Sequence, residues 1–267
     1  MNDIAVAVAC YNNEDEVLEF ARKLSHQNQI EKIQLLVTCN ACKDFEQFGN
    51  DIKSILPTAQ VFDAGSNLGY LSGCLYGVKK TKIPYSWIMV SNTDIDFPQD
   101  NFFEKALNKV PENVWCIGPN IVLSATGAQQ NPFLKSRPSN KKVNTWRIAY
   151  SNYFFFRLYQ KLHKLKIKKK IQSPRSSGEV YAVHGSCFFL RNECVQKIIE
   201  ENSNIFMYGE ELLIAEIVRE NAKCSFYNSE VSIYHNENQV TGKVASKRKQ
   251  QWFKASISYL YSRFYKK

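Results

Sequence analysis

The sequence predicts an α/β protein with an open, largely parallel sheet and helices on both of its faces. In the first hundred residues, short apolar runs alternate with segments of helical periodicity, and polar turns separate them. Strands separated by helices of this length need crossover connections, which favour parallel pairing and buried faces. The chain has 267 residues and is 44% hydrophobic, which suffices for one large core or two small ones.

The more regular half of the chain comprises residues 1–97. Its predicted strands are 4–10, 33–39, 60–63 and 86–91, and its predicted helices are 14–26, 45–55 and 71–80. In open α/β sheets, ligands bind beyond the carboxyl ends of the strands. The residues of interest therefore follow the apolar runs: Tyr11, Asn12, Asn40, 65–69 and 92–96.

Residues 98–240 form a less regular half, and a basic amphipathic tail, 241–267, closes the chain. Strands are predicted at 115–122, 180–191 and 224–234, and a helix at 210–221. A polar loop covers 124–140, and a basic aromatic insertion covers 143–175. No internal repeat or low-complexity linker divides the sequence, so 1–240 is expected to form one domain.

The formal charge of +10 is concentrated in the insertion and the tail. Both segments interleave Lys and Arg with apolar rings, a composition typical of helices that lie on a membrane surface. Each basic residue near an anionic leaflet contributes on the order of 1 kcal/mol to such binding. We rank a peripheral membrane contact first, a solvated basic face second and a nucleic-acid surface last, so nucleic acid is not an expected partner.

The N-terminus lacks the basic region of a secretory signal, and no apolar stretch approaches the roughly 20 residues that a spanning helix needs. We therefore expect a cytoplasmic protein, peripheral on the inner face of the membrane.

Without an export signal, the eight cysteines are predicted to be reduced and mostly buried. Cys39 and Cys42 form a CxxC pair, but no second pair stands at zinc-ribbon spacing.

Acidic residues directly follow the predicted strand 86–91. Hard cations such as Mg²⁺ and Mn²⁺ take oxygen ligands and often bridge protein carboxylates to substrate phosphates. Asp94 is the preferred metal ligand, with Asp96 and Asn92 nearby. The alternative is that these residues only end the strand with turn hydrogen bonds.

The glycine-containing turn 65–70 (GSNLGY) precedes a helical segment that carries Gly73 and Gly77. This spacing lets the backbone approach a flat ligand or a neighbouring helix closely. Because neither GxGxxG nor GxxxxGK[ST] occurs here, hydride transfer and ATP hydrolysis lose support. A tight turn with close packing is the alternative to nucleotide binding.

Two acids, Glu210 and Glu211, stand at the start of the predicted helix 210–221. One explanation is that these acids only interact favourably with the positive end of the helix dipole. The other is that one of them is a general base that deprotonates an acceptor hydroxyl. His235 follows the last predicted strand and can bind a divalent metal as a neutral imidazole.

Taken in order, these segments resemble the family 2 glycosyltransferases over about residues 4–237. IAVAVACYN resembles the family's first strand, and DAGSNLGYLSGCLYG, from Asp63 to Gly77, resembles its NxGyxxGxNxG motif. Asn92-Thr93-Asp94 occupies the DxD position. Tyr208-Gly209-Glu210-Glu211 resembles the YxED motif, with Glu211 where the family usually has Asp. Cys39 replaces the usual acid of the segment that resembles DNxSxD.

The resemblance implies a GT-A fold, in which a nucleotide-binding α/β half (1–97) is fused to an acceptor half (98–240). It implies metal-dependent transfer from a UDP- or dTDP-sugar to a glycan or lipid-linked glycan, with inversion, in bacterial surface polysaccharide synthesis such as capsule or O-antigen. Mn²⁺ or Mg²⁺ would be held by Asp94, Asp96 and His235, and either Glu211 or Glu210 would be the base. Donor-binding residues would be Ala9, Tyr11, Asn12, Asn40, Asn67, Gly69, Tyr70, Gly73, Asn92 and Thr93. His184, Gly185 and Tyr208 would lie on the acceptor side.

Two other functions stay open. A nucleotidyltransferase also uses an α/β nucleotide domain and acidic metal ligands, but it would normally carry a glycine-rich, basic loop after the first strand, and residues 9–13 have neither glycine nor a basic residue. A non-catalytic protein can keep a fold and lose its chemistry. The sugar, the nucleotide base and the linkage are not fixed by these motifs.

Overall fold

The computed structural model describes residues 4–81, 83–167, 176–203, 205–236 and 247–266. Within these ranges nine strands form one sheet: β1 (Ile4–Tyr11), β2 (Ile33–Ala41), β3 (Gln60–Asp63), β4 (Trp87–Ser91), β5 (Ile95–Asp96), β6 (Val114–Leu123), β7 (Gly178–Val180), β8 (Cys187–Arg191) and β9 (Cys224–His235). The helices are α1 (Glu14–Ser25), α2 (Phe45–Ile55), α3 (Leu71–Lys80), α4 (Phe102–Ala106), α5 (Asn140–Ala149), α6 (Tyr153–Ile167), α7 (Asn192–Glu201), α8 (Glu210–Glu220) and α9 (Lys247–Leu260). A short 3₁₀ helix, Ile30–Lys32, precedes β2, and a π-helix, Tyr261–Tyr265, follows α9.

The sheet is parallel on one side and mixed on the other. Its strand order is β3-β2-β1-β4-β8-β6-β9-β5, and β7 pairs with β9. The pairs among β3, β2, β1 and β4 are parallel, whereas β8 runs antiparallel to both β4 and β6. The predicted α/β class, with a Rossmann-like first half, is confirmed.

Helices cover both faces of the sheet, as predicted. On β1, Val6, Val8 and Cys10 face α1, α2 and α4, while Ala5 and Ala7 face α3, α7, α8 and α9. The alternation is that of a strand buried on both sides.

The described part of the tail, residues 247–266, packs into the domain core. Ile257, Leu260, Phe264 and Tyr265 are buried in the core that α3, α7 and α8 share. The carboxylate of Glu216, on α8, is fully buried and accepts hydrogen bonds from Arg137, Arg219 and Tyr181, while Arg137 also donates to the Phe264 carbonyl. The apolar face of this amphipathic segment therefore packs on protein, and positions 241–246 of the tail lie outside the described residues.

The insertion contains helices α5 and α6, and its positions 168–175 lie outside the described residues. No helix within the described ranges is both long and apolar enough to cross a membrane.

The prediction of reduced cysteines is wrong for one pair. Cys39 and Cys42 are joined by a disulfide, while the other six cysteines are free and five of those are buried. The sulfur of Cys10 lies within 4.8 Å of both sulfurs of the pair. Since Cys10 and Cys39 belong to the core beneath α1 and α2, this group faces away from the cavities described next.

Candidate active site

A polar cavity of about 360 Å³ opens beyond the carboxyl ends of β1 and β4. These two strands flank the point where the strand order reverses, the place at which open α/β sheets bind ligands. The cavity is lined by Ala9, Tyr11, Asn13, Glu16, Tyr70, Ser91, Asn92, Thr93, Asp94, His184, Gly185, Ser186, Met207, Tyr208, Glu210, Glu211, His235 and Lys249.

Asp94 and His235 form the candidate metal pair. Pairing of β5 with β9 places His235 opposite Ile95, and the Nε2 atom of His235 lies 3.2 Å from Oδ1 of Asp94. Nδ1 of His235 lies 2.8 Å from Oε1 of Gln130, so this ring nitrogen donates and Nε2 offers its lone pair. Such an outer hydrogen bond is how metal-binding histidines are usually oriented.

The donor set of this pair fits a divalent metal. Both side chains are largely buried, and one carboxylate oxygen with one imidazole nitrogen is a donor set that divalent metals bind. The amide NH₂ group of Asn92 lies 3.3 Å from Nε2 of His235 and is a hydrogen-bond donor, so only the Asn92 carbonyl oxygen could serve as a metal ligand. Thr93 hydrogen-bonds Asn13 and Glu16 and thereby holds the loop after β4 against α1.

Asp96 does not join this pair. Its carboxylate forms an ion pair with Lys23 and accepts a hydrogen bond from Asn236, and it does not line the cavity. Burial raises the pKa of Asp96, but the bonds from Lys23 and Asn236 outweigh that effect and lower it. Geometry thus gives Asp96 a structural role and disfavours its predicted role as a metal ligand.

Glu210 and Glu211 begin α8 and face Gly185 across the cavity. A Cβ atom on residue 185 would lie 2.9 Å from Oε1 of Glu211 and 3.1 Å from Oε1 of Glu210, so glycine makes room for both carboxylates. Burial raises the pKa of Glu210, and the neighbouring Glu211 raises it further. The pKa of Glu211 is also raised by burial, against the opposing effect of backbone N–H groups.

His184 stands between the polar cavity and an apolar pocket, and it lines both. Its Nδ1 accepts a hydrogen bond from the Ser186 backbone N–H at 3.2 Å, so the proton of the neutral ring is on Nε2. Burial, together with nearby His235, lowers the pKa of His184 to about 4. At neutral pH this side chain is therefore an uncharged donor.

A third cavity, of about 220 Å³, lies beside the glycine-containing turn. It brings together the predicted residues Ala9, Tyr11, Asn40, Asn67, Gly69 and Tyr70. Asn40 holds the turn by donating to the Gly69 carbonyl at 2.8 Å and accepting from Leu68 N–H. Gly69 has φ +81°, and a Cβ there would lie 2.0 Å from the Phe206 carbonyl oxygen, so glycine is required.

Two predicted donor-binding residues do not line these cavities. Asn12 has φ +55° and donates its backbone N–H to the Ala41 carbonyl, which leaves the neighbouring Asn13 to line the polar cavity. Gly73 is a packing residue, since a Cβ there would lie 2.7 Å from Nδ2 of Asn40.

Sequence reasoning missed the contribution of α9. Arg248 and Trp252 line the third cavity, Lys249 lines the polar cavity, and Trp252 stacks on Phe206 with ring centroids 5.4 Å apart. The basic and aromatic side chains of this segment are visible in the sequence, but their pattern predicts a membrane surface and not a cavity wall. The three residues predicted for the acceptor side, His184, Gly185 and Tyr208, all line the polar cavity.

Comparison with known proteins defines the fold. No protein-family model matches the chain, and no curated protein does. A mannosyltransferase from Pyrobaculum calidifontis, solved with GDP-Man and Mn²⁺, is similar with a TM-score of 0.55 and 11% identity, over 90% of this chain and 58% of that one. GalNAc-T7, solved with UDP, GalNAc and Mn²⁺, is similar with a TM-score of 0.64 and 10% identity, over 90% of this chain and 44% of that one.

This chain thus spans about half the length of the solved structures it matches. At sequence identities near 10%, structural similarity supports a shared fold but does not indicate a shared substrate. With its mixed sheet, its cavity at the reversal of strand order and these structural neighbours, the chain has the GT-A glycosyltransferase fold.

Proposed function

We propose that this protein is a metal-dependent glycosyltransferase that moves a sugar from a nucleoside-diphosphate sugar to an acceptor hydroxyl. The observation that carries the proposal is the arrangement of one cavity. A carboxylate–imidazole pair, Asp94 and His235, and two neighbouring carboxylates, Glu210 and Glu211, line the same space at the reversal of strand order. The alternative readings, nucleotidyl transfer and non-catalytic binding, have no comparable support.

The donor would extend from the third cavity into the polar cavity. Ala9, Tyr11 and Tyr70 line both, so a nucleoside beside Asn40 and Asn67 can pass its diphosphate towards Asp94. Asp94 and His235 would hold Mn²⁺ or Mg²⁺, and the bound metal would neutralise the charge of the leaving diphosphate. Lys249, also in the cavity, would add positive charge there. We propose a UDP- or dTDP-sugar, with a hexose or rhamnose as the transferred sugar.

Glu211 is our choice for the general base. It lines both the polar cavity and the apolar pocket, whereas Glu210 lines only the polar cavity, so Glu211 stands where a donor and an acceptor can meet. The acceptor hydroxyl would give its proton to Glu211 while its oxygen bonds to the anomeric carbon, and the nucleoside diphosphate would leave with the electrons of the broken bond. This single displacement inverts the anomeric centre.

The cellular role follows from the resemblance to family 2 glycosyltransferases. We propose that the acceptor is a glycan, most simply a lipid-linked one, in the synthesis of a bacterial surface polysaccharide such as capsule or O-antigen. Activity at the inner face of the cytoplasmic membrane would suit such an acceptor.

A thermal-shift screen of UDP-, dTDP- and GDP-sugars, each with Mn²⁺ or with EDTA, tests donor binding. Ligand binding to the folded state raises apparent stability by mass action. We expect one nucleotide to raise Tm only with Mn²⁺, and Asp94→Asn to abolish that rise. Asp96→Asn is the matched control and should keep it. A rise that is equal in EDTA, or no rise with any donor, would refute the proposed site.

A further inference from the structure

An apolar pocket of about 280 Å³ adjoins the polar cavity at His184 and Glu211. Its walls are mainly rings and aliphatic chains, among them Trp146, Tyr150, Leu212, Phe253 and Leu260. A sugar unit needs several hydrogen-bonding partners when it is buried, and this wall offers few of them. The lining suits a hydrocarbon group.

Helix α5 adjoins this pocket, and α5 and α6 both carry large apolar side chains that are exposed on the surface. Helix α5 supplies Trp146, and Tyr150 follows its end, while on the outer side α5 and α6 expose Ile148, Phe154, Phe155, Leu158 and Leu162. We name these five residues the apolar ridge. Phe154 is 72% exposed and Ile148 is 54% exposed, and five of the eight exposed large hydrophobic residues in the described part of the chain belong to the ridge. Phe154, Leu158 and Leu162 repeat at the four-residue spacing of one helix face, and clustered exposed apolar side chains of this kind mark an interaction site.

The charge around the ridge indicates its partner. Residues 140–167 carry seven Lys or Arg and no Asp or Glu. An anionic lipid surface attracts such a segment, and apolar rings beside basic residues are what interfacial helices present to lipid. A second copy of this chain, at +10 net charge, would instead be repelled.

We propose that the apolar ridge docks on an anionic lipid surface and that the apolar pocket takes the hydrocarbon of a lipid-linked acceptor whose hydroxyl lies at Glu211. This inference rests on the proposed transferase function, because it deepens the acceptor side of the same site. It assigns the membrane contact to α5 and α6 and leaves α9, the other predicted membrane segment, to the domain core.

Vesicle co-sedimentation tests the ridge. The full chain should sediment with phosphatidylglycerol–phosphatidylcholine vesicles at physiological salt and much less with phosphatidylcholine alone. The double variant Phe154→Glu/Leu158→Glu should lose at least tenfold in vesicle binding, while Tyr234→Glu, a matched exposed aromatic elsewhere, should not. Equal sedimentation of the two variants would overturn the proposal. A ridge variant that loses self-association but keeps vesicle binding would do the same, since it would assign the ridge to a second copy.

Isothermal titration calorimetry tests the pocket, with farnesyl phosphate as a soluble prenyl probe. The probe should bind saturably, and Trp146→Phe/Tyr150→Ala should weaken binding at least tenfold, whereas the ridge variant should bind the probe like the wild type. Unchanged affinity in the pocket variant would contradict the proposal. The Mn²⁺-dependent rise in Tm with the donor is measured for the same variants. If the donor raises Tm but lipid binding fails, this inference alone is rejected. If lipid binding is intact but no donor raises Tm, the transferase function is rejected.

Discussion

Gly185 sets how closely the segment between β7 and β8 can approach the two carboxylates of α8. Because residue 185 has no Cβ, the carboxylates of Glu210 and Glu211 both fit against it. Glu210 is buried and Glu211 is half-buried, and desolvation raises the pKa of each. A raised pKa lets a glutamate accept a proton near neutral pH, which general base catalysis requires. The pair therefore has a chemical use that the helix dipole alone does not explain.

Glu211→Gln should reduce the rate of transfer at least a hundredfold and leave Mn²⁺-dependent donor binding intact, because a general base contributes about 10²–10⁴ in rate. Glu193→Gln, an exposed glutamate in the first turn of α7, is the control and should behave like the wild type. Steady-state kinetics decide the assignment. A larger loss in Glu210→Gln than in Glu211→Gln would move the base to Glu210.

The raised pKa of Glu210 also has a consequence for stability. The folded state binds the carboxyl proton of Glu210 more tightly than the unfolded chain, in which Glu titrates at about 4.3. The stability that this tighter proton binding contributes is therefore fully present below about pH 4.3 and is lost as pH rises through the folded pKa. Glu210→Gln keeps the shape and removes the charge. Its Tm relative to the wild type should therefore increase between pH 5 and pH 8 in scanning fluorimetry. A difference that does not change with pH would mean that burial of this carboxylate costs no stability.

Single positions mark how far the sequence predicts the site. The candidate metal pair, Asp94 and His235, and the two glutamates of α8 line one cavity, although their roles there stay predictions. Asn12 and Asn13 are indistinguishable in the sequence, and the positive φ of Asn12 decides which of them lines the cavity. Asp96 lies only two residues from Asp94, but its carboxylate has a partner, Lys23, on α1 that periodicity cannot reveal.

At the scale of elements, the sequence predicts β1 to β4 and α1 to α3 to within two residues, but it does not predict the short strand β5 or the 3₁₀ helix before β2. Helices α2 and α3 and strand β3 have the predicted bounds, since each has clear polar or glycine-containing flanks. The predicted strand 180–191 instead divides, because β7 ends at Val180 and β8 begins only at Cys187. Residues between them turn towards the cavity and include His184 and Gly185.

The amphipathic tail shows why periodicity cannot name the partner of an apolar face. Tyr208 and Phe253 stack with ring centroids 4.3 Å apart, and Ile257 and Leu260 pack into the core. The same pattern of apolar and basic residues would suit a membrane surface. Only the contacts distinguish the two cases.

The anchor of this tail is open to test. Arg137→Ala removes a hydrogen bond to the buried Glu216 carboxylate and one to the Phe264 carbonyl, and bonds to charged groups contribute about 1.5–3 kcal/mol each. Arg219→Ala is the matched control, because Arg219 is half-exposed and bonds the same carboxylate from within α8, whereas Arg137 also bonds the Phe264 carbonyl, so the loss of Arg219 should cost less. Urea denaturation measures both free energies of unfolding. Equal losses would show that Arg137 does not anchor the tail.

At the scale of the whole molecule, the sheet explains why chemistry is concentrated at one edge. Strands β1 and β4 are parallel neighbours, and β8 then inserts antiparallel between β4 and β6. The alternation of the first half predicts the parallel part. It cannot predict that β8 pairs with β4, because that contact joins residues about one hundred positions apart and leaves no local pattern.

The most direct test of a metal-dependent transferase is release of nucleoside diphosphate from the donor found by thermal shift, with bacterial lipid-linked glycans as acceptor. We expect turnover in Mn²⁺ and at least a hundredfold less in EDTA, in Asp94→Asn and in His235→Ala, with normal folding of both variants by circular dichroism. Turnover that survives EDTA and both substitutions would contradict the metal site. Acceptor-independent binding with no turnover under any condition would leave a nucleotide-sugar-binding protein in place of an enzyme.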